Sequence, residues 1–132
     1  MSLAVSDRLD ILDVLTRADN AASRRDRDAY VELFTDDVIL DGDQGVHVGK
    51  ETLREAVGSI WDREGTASLH LTLNPTLEIL DSPSEEVIAH SVLLIVQPGA
   101  TIQIRTVAFI IQRLRRIGGL WRIGHRTVKA AT

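Results

Sequence analysis

The chain has 132 residues, 44% of them hydrophobic and 26% charged, with a net charge of −4 and no cysteine. That length suits one domain with a single substantial core, residues 1–132, and the apolar share excludes a disordered chain. No apolar run approaches the ~20 residues that cross a bilayer, and the missing cysteines exclude disulfides, thiolate nucleophiles and cysteine–zinc sites.

The first ten residues, MSLAVSDRLD, lack a basic segment followed by a long apolar one, so no signal peptide and a cytoplasmic location are expected. Ser6 and Asp7 are helix-start residues, and Ile11, Leu12, Val14, Leu15, Ala18 and Ala22 follow at helical spacing. The RRDRD turn ends this helix, and Asp26 caps a short second one carrying Tyr30, Val31 and Phe34. Val38–Leu40 and Val46–Val48 are expected as short strands around DGDQG, whose glycines supply turn conformations. From Lys50 to Trp61 a third helix places Leu53, Ala56, Val57, Ile60 and Trp61 on one face.

After Gly65 the period changes to that of strands. Leu69–Leu73 alternates, Asn74-Pro75 interrupts, Thr76–Leu80 resumes, and DSPSEE reads as a turn. Val87–Val96 and Ile102–Leu114 are apolar on both alternations, as strands covered on both faces are. Leu120–Val128 is the last strand. Helices followed by an antiparallel meander imply an α+β domain, with three N-terminal helices on the concave face of a curved, mostly antiparallel sheet. The apolar convex face then calls for a cover, and a homodimer built sheet to sheet is expected. Arg113, Arg115, Arg116, Arg122, Arg126 and Lys129 form a basic group late in the chain. They alternate with apolar residues and lack aromatic stacking partners, so no nucleic-acid partner is expected.

The segment LFTDDVILDGDQGVHVGKETLREAV resembles the SnoaL-like branch of the nuclear transport factor two-like superfamily. RADNAASRRDRDAYVELF, LHLTLNPTLEI and GGLWRIGHRTV extend the likeness over roughly residues 11–128. The resemblance implies a cone-shaped domain with a pocket between helices and sheet. Its members include isomerases, cyclases, dehydratases and proteins without known chemistry, so it speaks to fold more than to activity. The general-base aspartate of ketosteroid isomerases falls at Gly42, between Asp41 and Asp43, and their helix tyrosine at Ala18. The Tyr–Asp pair of scytalone-type dehydratases falls on Ala21 and Ala22, or on Ala22 and Ser23, whereas their histidine falls on His70. Around Arg105 the acid that limonene epoxide hydrolases need is missing.

Among the chain's own residues His70 is the first catalytic candidate, because imidazole exchanges protons near neutral pH. In strand geometry Ser68, His70, Thr72 and Asn74 share one face, with Leu69, Leu71 and Leu73 on the other. Asp41 and His125 are its candidate proton partners; His125 shares an alternation with Trp121, Ile123 and Thr127. Arg126 and Val128 lie on the other alternation, and an inward arginine would hold a carboxylate or enolate oxygen. Either alternation fits an inward face. Tyr30, Phe34, Trp61, Asn74, Arg105 and Arg126 make up the expected substrate pocket. No His-x-His or His-Glu-x-x-His pattern occurs and no dinucleotide fingerprint, so neither metal nor cofactor is expected. Two functional readings follow. One is a cofactor-independent isomerase, cyclase or dehydratase acting on a small hydrophobic cyclic carbonyl compound. The other is a ligand-binding or accessory module without chemistry.

Overall fold

The computed structural model describes residues 3–43, 45–64, 68–80 and 85–131. It is an α+β domain in which three helices cover one face of a six-stranded sheet. Helix α1 spans Val5–Ser23, α2 Arg27–Glu32 and α3 Lys50–Glu64. Strands β1 (Phe34–Gly42), β2 (Gly45–Val48), β3 (Leu69–Ile79), β4 (Glu86–Gln97), β5 (Gln103–Ile117) and β6 (Leu120–Ala130) lie in the order β2-β1-β6-β5-β4-β3. Among the described residues, only the β1–β6 pairing is parallel. The DSPSEE turn lies mostly outside the described residues.

Helix α1 buries Ile11, Val14, Leu15, Ala18, Ala21 and Ala22. It starts at Val5, with Ala4 at the N-cap and no side-chain cap, which puts Asp7 in the first turn. Its carboxylate accepts a hydrogen bond from Trp121 Nε1 at 3.2 Å and pairs with Arg116, pinning the helix start to the sheet. Asp26 caps α2 as expected, accepting from the Ala29 amide at 3.1 Å. Phe34, expected on that helix, is instead the first residue of β1. The Leu33 carbonyl already accepts from the Ile123 amide at 2.9 Å, so pairing with β6 takes over as α2 ends.

Three irregularities decide which side chains face the helices. In β3, Asn74 and Pro75 together oppose Ser91, and Asn74 adopts a left-handed conformation with φ 55°. Inward residues are therefore His70 and Thr72 before this bulge but Leu77 and Ile79 after it. In β5, Arg105 is the extra residue between the pairs Val96–Ile104 and Ile95–Thr106. In β6, Gly124 is extra between Ile123–Leu114 and His125–Arg113. Trp121 and Ile123 face inward before Gly124, and Arg126 and Val128 face inward after it.

The concave face thus carries two apolar clusters. The larger joins Val87, Ala89, Leu114, Trp121 and Ile123 of the sheet to Ile11, Leu15, Phe34, Leu53 and Val57, among others. The smaller consists of Leu93, Ile95, Ala108 and Ile110, with Val128 packed against it. Between them runs a buried polar row, one residue per strand: Ser91 on β4, Gln112 on β5 and Arg126 on β6. The convex face is apolar too. Three cross-strand rows, Leu69–Val96–Ile104, Leu71–Leu94–Val107 and Leu73–Val92–Phe109, hold no charge, and Phe109 is 55% exposed.

Candidate functional site

Strand β3 is a sheet edge, so the N–H groups on its free side need partners. Helix α1 supplies them. Ser23 Oγ accepts from the His70 amide at 2.8 Å. One turn earlier, Asp19 Oδ2 accepts from the Thr72 amide at 2.7 Å and Oδ1 from the Thr72 hydroxyl at 2.9 Å. Four residues of helix rise about 6 Å and two residues of strand about 6.7 Å, so an i, i+4 pair matches alternate strand amides. This clamp fixes the stretch of β3 that carries His70.

His70 is buried, 7% exposed, and its Nε2 lies 2.9 Å from Glu64 Oε1 at the end of α3. Glu64 also meets Arg25 Nη1 at 3.5 Å. A carboxylate accepting from Nε2–H selects the tautomer that leaves Nδ1 as the basic nitrogen. That Nδ1 is buried and has no hydrogen-bond partner among the described residues.

His70 and Glu64 line a cavity of about 170 Å³ between the helices and the sheet. Its walls are mostly apolar: Val57, Ile60 and Trp61 from α3, Leu40 from β1, and Leu93, Ile95 and Val128 from the smaller cluster. His47 of β2 and Thr106 of β5 add polar edges. Arg126, 5% exposed, enters from β6 and donates from Nη1 to the Tyr30 hydroxyl oxygen at 2.8 Å. Tyr30 packs against Phe34 at 4.8 Å and edge-on against Trp61 at 5.3 Å between ring centres. Desolvation by burial raises the Tyr30 phenol above its ordinary value and keeps it protonated. Burial likewise raises Asp19, opposed by the field of Arg126 and by the bonds from Thr72.

Of the expected site residues, the cavity collects His70, Tyr30, Trp61 and Arg126. Phe34 stands behind Tyr30 as fully buried core. Asp41 pairs with Thr127 and Val46 on the alternation opposite Leu40 and Gly42, and so faces away from the cavity. The extra residue Gly124 turns His125 outward and Arg126 inward. Asn74 is exposed at the β3 bulge and Arg105 is exposed at the β5 bulge. Sequence reasoning missed Glu64 and Asp19, although both carried a signal. Each continues an apolar helical stripe: Glu64 follows Val57, Ile60 and Trp61, and Asp19 lies between Leu15 and Ala22. Among the described residues no three His, Asp or Glu side chains are grouped to hold a metal ion, and no helix is long and apolar enough to cross a membrane.

The sequence profile of the SnoaL-like domain matches residues 4–127. No match was found among curated proteins. Several solved structures are similar throughout. A protein of unknown function with a cystatin-like fold from Nostoc punctiforme is 25% identical, with a TM-score of 0.88 over 98% of this chain and 95% of its own. An NTF2-like protein with a cystatin-like fold from Novosphingobium aromaticivorans is 18% identical, with a TM-score of 0.85 over 96% and 83%. ActVI-ORFA from Streptomyces coelicolor is 14% identical, with a TM-score of 0.84 over 94% and 97%.

Proposed function

The chain belongs to the SnoaL-like domain family, and from that premise we propose that it is a cofactor-independent acid/base catalyst for a small cyclic carbonyl compound. The observation that carries this reading is the His70–Glu64 pair, 2.9 Å apart, in the wall of a largely apolar cavity. His70 Nδ1 takes a proton from the carbon next to the carbonyl, and the C–H electron pair moves into an enolate. Glu64, accepting from Nε2–H, steadies the imidazolium that forms. Return of the proton to a different carbon completes an isomerisation, and its delivery to a departing β-hydroxyl completes a dehydration. Apolar walls exclude competing water and strengthen the His–Glu interaction. A cavity of this size matches one ring, since a cavity of about 150 Å³ accommodates benzene.

Deuterium uptake from heavy water into the α-positions of cyclohexanone and 4-oxocyclohexanecarboxylate, followed by proton NMR, tests the reading. The protein should accelerate exchange of at least one probe over buffer, and His70→Gln should slow that reaction by roughly 10²–10⁴-fold. Exchange no faster than in buffer, or a His70→Gln variant as fast as the parent, would overturn it and leave a binding module.

A further inference from the structure

The cavity holds a permanent positive charge that no described acid neutralises at close range. Arg126 is 5% exposed, and a guanidinium stays protonated at any physiological pH. It bonds to the Tyr30 hydroxyl at 2.8 Å and meets the face of the same ring, 5.8 Å from the guanidinium carbon. Among the described residues no carboxylate lies within ion-pair distance of it. The acid whose field it feels, Asp19, has both oxygens engaged by Thr72 and is itself held toward the neutral form by burial. Of the two described acids that line the cavity, Glu64 is engaged by His70 and Arg25, and Asp43 is exposed to solvent at the end of β1. A buried charge left in this condition is costly unless something else pairs with it.

We propose that Arg126 and Tyr30 form the binding point for the carboxylate of a one-ring hydrophobic acid; taken together with the catalytic reading, this makes the substrate a cyclic keto acid or hydroxy acid. Tyr30 accepts from Arg126 with its oxygen, which leaves the phenolic hydrogen as a second donor beside the remaining guanidinium N–H groups. Packing against Phe34 and Trp61 holds that donor in place before any ligand arrives. The charge is present in the resting protein, so its counterpart must be an anion before reaction. A carboxylate meets that condition, whereas an enolate arises only during turnover and a phenol is neutral at pH 7. A dianionic phosphate would exceed the single positive charge. The apolar walls then receive the ring, with Leu93, Ile95 and Val128 on the sheet side and Ile60 on the helix side.

This assignment rests on the same cavity as the catalytic reading but needs no turnover, so the two fail separately. Calorimetric titration at pH 7 with benzoate and with benzamide, equal in size and differing in charge, tests it. Benzoate should bind roughly tenfold or more tightly than benzamide. Arg126→Gln should remove the preference and Arg126→Lys should retain part of it, with circular dichroism confirming that each variant is folded. If Arg126→Gln does not fold, the parent's benzoate-to-benzamide ratio and the Arg126→Lys variant still decide the matter. Equal binding of the two probes, or binding of neither at millimolar concentration, would overturn the assignment. A benzoate preference in a protein that exchanges no α-protons would refute the catalytic reading alone.

Discussion

Asp19 shows how one side chain joins the edge of a sheet to the polarity of a cavity. Its two oxygens serve the Thr72 amide and hydroxyl, and burial raises its pKa above 3.8. The unfolded chain releases this proton near pH 4 while the folded protein still holds it. Between those two pKa values the native state binds more protons, so this residue lowers stability as pH rises and stops doing so above its folded pKa. The Asp19→Asn substitution keeps an acceptor for the amide and introduces a side chain that cannot ionise. Urea denaturation across pH 3–8 should therefore show Asp19→Asn gaining stability relative to the parent as pH rises, then levelling off. A constant difference would mean that Asp19 titrates normally. His70 is legible in the sequence because imidazole at the start of a strand stands out. Asp19 and Glu64 are harder to single out, because an acid on an apolar helical stripe looks like a break in the pattern, whereas each is where the pattern meets the cavity.

At the scale of the element, bulges rather than composition decide what each strand offers the interior. Alternation carried through Asn74 puts that residue beside His70 and Thr72, and carried through Gly124 it puts His125 beside Ile123. Both inferences fail at the bulge itself, since a single extra residue exchanges the two faces. Helix positions are easier to read, because the period of α1 and α3 does not slip even where Asp19 or Glu64 replaces an apolar residue, and the three-helix, curved-sheet architecture follows from them. The β3 bulge makes a direct prediction. Asn74 tolerates its left-handed backbone, φ 55°, which a β-branched residue does not. Asn74→Val should lower unfolding free energy by about 1–2 kcal/mol, and Asn74→Gly should change it little, as read from urea midpoints. Equal losses in both variants would show that the side chain, not the backbone, is what matters there.

For the whole molecule, the convex face is a demand that the single chain leaves unmet. Nine apolar side chains in three rows, with Lys129 of β6 next to Phe109, form a surface for which a second copy of the same chain is the expected cover. Light scattering at micromolar concentration should give twice the 14.6 kDa chain mass, and Phe109→Glu, at the exposed end of one row, should return the protein to a monomer. A monomeric parent would mean that this face meets a different partner or none.

The polar row Ser91–Gln112–Arg126 crosses the sheet like a watershed. On one side lies the cluster that anchors α1, α2 and α3, and on the other the few aliphatic side chains that floor the cavity. On the sheet side the workshop of this domain thus stands apart from its foundations, whereas on the helix side Val57 and Trp61 serve both. Exchanging Leu93, Ile95 or Val128 remodels the chamber while the joints between helices and sheet stay untouched. The floor of the chamber is therefore the part of its wall that can change shape without disturbing the helix joints.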